Sequence, residues 1–211
     1  MLLLKDQAYQ SLLRMVQEGS LERGKIYSLK AISAQLEMSI TPVRDAIQRL
    51  CDEGRMDILP SRGIRLHEMT KDELVQHYHF SSAIEGYCVY SLAAAYKNGN
   101  GRENVERLQF LLDEMASRLT PESPFQEYFH FDKSFHREIL ESLKDPYFSS
   151  LQHSAMGFYD HPELQHDNVI AREEVFQCHM KILNKIREGD PEGAYRAVIE
   201  HADLMMRNAH N

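Results

Sequence analysis

Four ionisable side chains stand on stretches that otherwise read as buried helix faces. Around Asp132 and His136 the apolar positions are Tyr128, Phe135, Ile139 and Leu143, so a carboxylate and an imidazole share one face, a helical turn apart. His179 sits among Val175, Phe176, Ile182, Leu183 and Ile186, and His201 among Ala194, Ala197, Val198 and Met205. An unpaired carboxylate in such a setting is strongly unfavourable, so the group needs a common partner. His179 lies eleven residues before Asp190 and His201 eleven after it. Antiparallel helices rising about 1.5 Å per residue bring both to a similar height, roughly 16 Å from the turn. Three imidazoles and one carboxylate suit a divalent transition metal such as zinc, nickel, manganese or iron, and disfavour calcium and magnesium, which want oxygen. Taken singly, each histidine reads as a hydrogen-bonded core residue, and Asp132 with His136 as an ordinary helix pair. The set of four favours the metal.

The elements that must hold these groups are helical. Thr70-Lys71-Asp72-Glu73 is a capping box that opens a helix through about Lys97, ended by Asn98-Gly99. Further periodic stretches run over 102–119, 123–143, 146–159, 168–188 and 191–209, separated by Pro121, Pro146, His161-Pro162 and Gly189-Asp190-Pro191. Six helices make a bundle. The histidines at 77, 79, 130, 153, 161 and 166 have no comparable setting, and the Met, Phe and Tyr side chains read as core.

The first seventy residues have another pattern. Ala8, Leu12, Met15 and Val16 mark an amphipathic helix stopped at Gly19; Ser28 caps a short helix; Ser39 caps a second, with Pro42 in its first turn and Val43, Ala46, Ile47 and Leu50 on its inner side. Two short helices across a tight turn form a helix-turn-helix, whose second helix enters the major groove. Met56–Leu59 and Ile64–His67 read as strands joined by Pro60-Ser61-Arg62-Gly63, a wing with an arginine at its tip. Ser39, Thr41, Arg44, Asp45, Gln48 and Arg49 occupy the outer face of the second helix, a mixture suited to phosphates and guanine edges.

Composition agrees with two tasks. The chain has 211 residues and a net charge of -8. Residues 1–70 are nearly neutral with one histidine, whereas the rest is strongly acidic with ten, a step that suggests two domains with different tasks, expected at 1–69 and 70–211. Three cysteines without Cys-x-x-Cys spacing argue against disulfides and thiolate zinc. No apolar run is long enough for a bilayer and the start lacks a signal peptide, so the expectation is a cytoplasmic protein with no membrane partner.

Residues 8–67, with Ser39-Ile40-Thr41-Pro42-Val43-Arg44-Asp45-Ala46-Ile47 at their centre and Ser61-Arg62-Gly63 in the wing, resemble the winged helix-turn-helix of GntR-family bacterial transcriptional regulators. The resemblance implies a DNA-facing surface of Lys30, Thr41, Arg44, Arg62 and Gly63, to which the residue reading adds Ser39 and Arg49. Ile40 stands where the family usually has arginine. Asp132-Lys133-Ser134-Phe135-His136 and the stretch from His179 to His201 resemble the FCD effector-binding domain of the FadR subfamily, in its short VanR-like six-helix form. That resemblance implies metal ligands at Asp132, His136, His179 and His201 and a small organic acid as effector. Ser81 stands where relatives often carry a carboxylate-gripping arginine; Tyr78, Tyr87 and Arg137 are the other candidates for the effector pocket.

The expected fold is mainly α, an N-terminal winged helix-turn-helix plus a C-terminal all-α six-helix bundle. The expected function is a ligand-responsive repressor, acting as a homodimer on a palindromic double-stranded operator. Two alternatives stay open: a regulator for which the metal itself is the signal, and a metal-dependent enzyme, which would leave the winged segment without a task.

Overall fold

The computed structural model describes residues 3–17, 19–148, 151 and 169–210, which divide into two compact units, Met1–Met69 and Thr70–Asn211. In the first, helix α1 (Leu4–Gln17) buries Ala8, Leu12 and Met15 at three- and four-residue spacing against α3 (Ile40–Asp52), which buries Val43, Ala46, Ile47 and Leu50. Between them lies α2 (Leu29–Gln35), begun by Ser28, whose Oγ accepts a hydrogen bond from the Ala31 amide at 3.1 Å. Ser39 occupies the N-cap position of α3 without making the expected side-chain hydrogen bond. Glu37, at φ 53°, supplies the left-handed residue that turns α2 into α3.

Strands β1 (Met56–Leu59) and β2 (Gly63–Leu66) pair antiparallel, Met56 opposite Leu66 and Leu59 opposite Gly63. Tyr27 adds one bridge to Ile64, its amide donating at 2.7 Å and its carbonyl accepting at 2.8 Å. The wing is thereby tied back to the segment before α2. Gly63 is required at the join. Its φ is +133°, and a Cβ there would lie 2.4 Å from the Tyr27 carbonyl oxygen.

Among the described residues of the second unit the regular elements are all helices. Helix α4 (Lys71–Lys97) opens with the capping box of Thr70 and Glu73. After α5 (Arg102–Ala116) come α6 (Phe125–Ser142), α7 (Val169–Arg187) and α8 (Pro191–His210). Helix α4 packs on α6, α7 and α8, and α5 on α6 and α7. A shared core of Ile84, Cys88, Leu108, Leu112, Phe135, Ile139, Ile182 and Val198 joins them. The α7–α8 hairpin turns at Gly189 (φ 63°), and Asp190 accepts the Gly193 amide at 3.0 Å to start α8. Five helices of the expected bundle are thus described. The helix expected over 146–159 lies outside the described residues except for 146–148, which form a turn, and 151; His153, His161 and His166 lie outside them as well.

Candidate functional site

Helices α6, α7 and α8 each deliver one imidazole to the same point. His136, His179 and His201 are buried at 1%, 0% and 6% exposure, and one ligand nitrogen from each lies within 4.8 Å of the others. The ring centroids are 5.0 Å apart for His136 and His179, 5.2 Å for His136 and His201, and 4.6 Å for His179 and His201. The hairpin turn sets this convergence, because His179 and His201 stand at equal distance from Asp190. Asp132, one turn before His136 on α6, places Oδ1 3.7 Å from His179 Nδ1, at the margin of the imidazole cluster.

The donor set fits a cation. Nε2 of His136 and Nε2 of His179 are 3.2 Å apart, the separation of two nitrogens each about 2.1 Å from one ion at an angle of about 100°. Asp132 Oδ1 and His201 Nδ1 are buried without hydrogen-bond partners among the described residues, the kind of deficit a metal relieves. Electrostatics point the same way. Burial, with His136's opposing pull and Glu85 adding to the rise, lifts the Asp132 carboxyl to about 6. Burial and the charge of His136 lower His201 to about 3, and burial with both neighbouring imidazoles lowers His179 well below the usual histidine range. His136 moves upward: burial opposes protonation, but the charge and hydrogen bond of Glu85, together with Asp132, outweigh it. Two neutral imidazoles and a strained carboxylate are what a divalent ion binds.

Glu85 is the residue that sequence reasoning missed. It is 2% exposed on α4, and its Oε2 lies 2.6 Å from His136 Nδ1. Its signal in the sequence was weak, because Tyr78, Ser81, Ser82, Ile84, Glu85, Gly86, Cys88 and Val89 are all buried and lie on several faces of α4. Arg172 was missed too. It is 3% exposed on α7, donates from Nη1 to the Ser123 carbonyl at 2.9 Å, and lies over the Phe125 and Tyr128 rings.

Of the four residues expected to line an effector pocket, two share the Glu85 face of α4. Tyr78 is 8% exposed, with its hydroxyl pushed upward by burial and by the charge of Asp132. Ser81 is 4% exposed with its Oγ unpartnered among the described residues. The other two stand elsewhere. Arg137 follows His136 by one residue, about 100° around the helix, and is exposed. Tyr87 is 51% exposed and stacks on Phe148 at 5.7 Å; with Tyr90, Tyr195, Glu192 and Arg196 it lines an open groove on the outward side of α4 and α8. Neither faces the imidazoles.

In the first unit Lys30, Ser39, Thr41, Arg44 and Arg62 are exposed, on α2, at the start and outer face of α3, and at the wing tip, while Gly63 forms the tip's strand join. Lys30, Arg44 and Arg62 make no ion pair among the described residues, so their charges are available to phosphates. Arg49 differs. Its guanidinium lies 3.8 Å from the Tyr9 ring centroid, donates to Glu53 at 3.0 Å and approaches Asp6 at 3.9 Å, tying α3 to α1. Ile40, the first residue of α3, is 44% exposed. Arg65 in β2 is paired with Asp57, which also takes His67.

Comparison with known proteins follows the same division. Residues 4–66 match the bacterial regulatory proteins of the gntR family, and residues 76–204 match the FCD domain. Over 200 residues, 93% of this chain and 84% of the relative, the chain is 24% identical to the "Probable D-xylose utilization operon transcriptional repressor" of Paenarthrobacter nicotinovorans. Among solved structures it is similar to E. coli McbR/YncC, with a TM-score of 0.73 at 21% identity and full coverage of both chains. It is also similar to the GntR protein of Rhodococcus sp. RHA1, with a TM-score of 0.76 at 17% identity, covering 98% of this chain and 97% of that one. These likenesses establish a shared fold. Among the described residues no helix is long and apolar enough to cross a membrane.

Proposed function

Because the chain belongs to the GntR family of transcriptional regulators and carries an FCD domain, we propose that it is a repressor whose helical unit holds a divalent transition metal and transmits its occupancy to DNA binding. The observation that carries the metal half is the convergence of His136, His179 and His201, buried and 4.8 Å or less apart, with Asp132 as the fourth donor. When bound, the ion supplies a fixed positive charge with positions open to oxygen atoms of a small effector. Tyr78 and Ser81, on the Glu85 face of α4, would orient such a molecule, and an organic acid would bring its carboxylate to the cation. The enzyme alternative is set aside, because the matched families and relatives are transcriptional regulators.

The DNA half rests on the exposed Lys30, Ser39, Thr41, Arg44 and Arg62 around α3 and the wing. Two such units on a two-fold axis match a palindromic operator, so the working form is a homodimer. Occupancy of the helical unit need only favour one placement of the two DNA-binding units, and a coupling of about 1–3 kcal/mol changes operator affinity 5–150-fold. Signalling by the metal alone is a second reading, favoured by a donor set that needs no organic partner to bind.

The test is selection of a bound sequence from random duplex DNA, followed by fluorescence anisotropy with chelated protein, with zinc, nickel or manganese added, and with candidate acids. The expected result is an inverted repeat, binding that weakens steeply with salt, and a several-fold change in affinity on adding metal or metal plus acid. Failure to enrich any sequence counts against the DNA half. An affinity indifferent to metal counts against the coupling.

A further inference from the structure

The candidate ligands come from α6, α7 and α8, and a residue of α4 makes a close contact with one of them. Oε2 of Glu85 lies 2.6 Å from His136 Nδ1, and both residues are 2% exposed or less. A buried carboxylate has few reasons to sit there. Packing is a poor one, because an alkyl side chain would avoid the desolvation cost.

Two consequences follow from the position. With Nδ1 donating to the carboxylate, the lone pair of His136 is left on Nε2, which faces Nε2 of His179 at 3.2 Å. The imidazole is then oriented and polarised for a cation between the rings. The second consequence is charge. A divalent ion with neutral imidazoles and one Asp132 carboxylate keeps one positive charge in a buried place, and Glu85 supplies the matching negative one. We infer that Glu85 is a positioning residue of the metal site, acting through His136 to fix its tautomer and to neutralise the bound ion from outside its coordination sphere. This inference rests on the metal reading of the previous subsection.

The experiment measures zinc affinity of the full-length protein by competition with a chromogenic chelator, and records the visible absorption of the cobalt(II) form. Glu85→Gln keeps an oxygen that can accept from Nδ1 and loses the charge; Glu85→Ala loses both. The expected result is zinc binding about 10-fold weaker for Glu85→Gln and about 100-fold weaker for Glu85→Ala, with the cobalt bands altered in both. Should the alanine variant fail to fold, the near-isosteric glutamine variant carries the test. A purely structural role predicts a changed melting temperature of the chelated variants, zinc affinity within twofold of wild type and an unchanged cobalt spectrum. That result overturns the inference while leaving the metal site standing. Absence of zinc and cobalt binding by the wild-type chain would overturn the metal reading itself, and this inference with it.

Discussion

Replacing Asp132 by asparagine should stabilise the metal-free protein while crippling its response to metal. The carboxyl is 7% exposed and is raised from 3.8 to about 6, burial being the largest cause. A raised acid pKa means that the folded chain holds the proton more tightly than the unfolded one. Stability therefore falls as pH rises from 3.8 to about 6, and above that window ionised Asp132 is a constant penalty. At 1.36 kcal/mol per pKa unit the penalty is about 3 kcal/mol. Asp132→Asn removes it at pH 7.5, although the amide must then use a site where Oδ1 has no hydrogen-bond partner, which takes back part of the gain. The net expectation is about 1–3 kcal/mol, or roughly 2–10 °C in melting temperature for a chain of this size. Zinc reverses the order: at a free concentration about 1,000 times Kd it adds about 4 kcal/mol to the wild type and far less to the variant. Calorimetric melts of both proteins, first with chelator and then with zinc, read this crossing directly. A chelated Asp132→Asn that melts below the chelated wild type, or equal zinc shifts for the two, would refute the reasoning.

Other expectations follow from the same geometry. His201 is lowered from 6.5 to about 3, so the folded chain refuses a proton that the unfolded chain accepts, and stability is lost as pH falls below 6.5. Relative to His201→Leu, the chelated wild type should lose about 3 kcal/mol by pH 4.5 in denaturant titrations; a pH-independent difference would contradict the assigned burial. Arg44→Ala and Arg62→Ala should each cost about 1–3 kcal/mol in operator binding, with a shallower salt dependence if the contact is to phosphate. Arg49→Ala should instead lower the melting temperature of the first unit, since that guanidinium is engaged by Tyr9 and Glu53; anisotropy and thermal melts of the three variants distinguish the roles. Ile40 presents an apolar side chain at the start of α3, suited to a thymine methyl, so Ile40→Arg should move the preferred base at one operator position to guanine. Unchanged selection by that variant would remove Ile40 from the reading surface.

Much of the fold was legible because each element carries its own punctuation. Thr70 and Glu73 begin α4, Gly189 and Asp190 turn α7 into α8, and Pro42 sits where a helix can accept it in α3. The imidazole cluster was legible for a related reason: polar residues in the middle of apolar stripes have to be matched by one another, and the hairpin count put two at one height. Glu85 escaped because α4 is buried on several sides, so its apolar residues form no single stripe against which a carboxylate stands out. Arg137 and Tyr87 are exposed on other faces of their helices, about 100° around from His136 and about 200° from Glu85, and periodicity alone gives them no partner. Arg49 shares the exposed arc of α3 with Arg44, and only the position of α1, with Tyr9 and Asp6, shows that the two guanidiniums have different partners.

Metal content per chain is the most direct measurement. After equilibration with zinc and removal of the unbound ion by gel filtration, elemental analysis should find one ion per wild-type chain and essentially none in His136→Ala, His179→Ala or His201→Ala. Equal metal in the wild type and in all three variants, or none in any, would contradict the claim that these imidazoles share a cation.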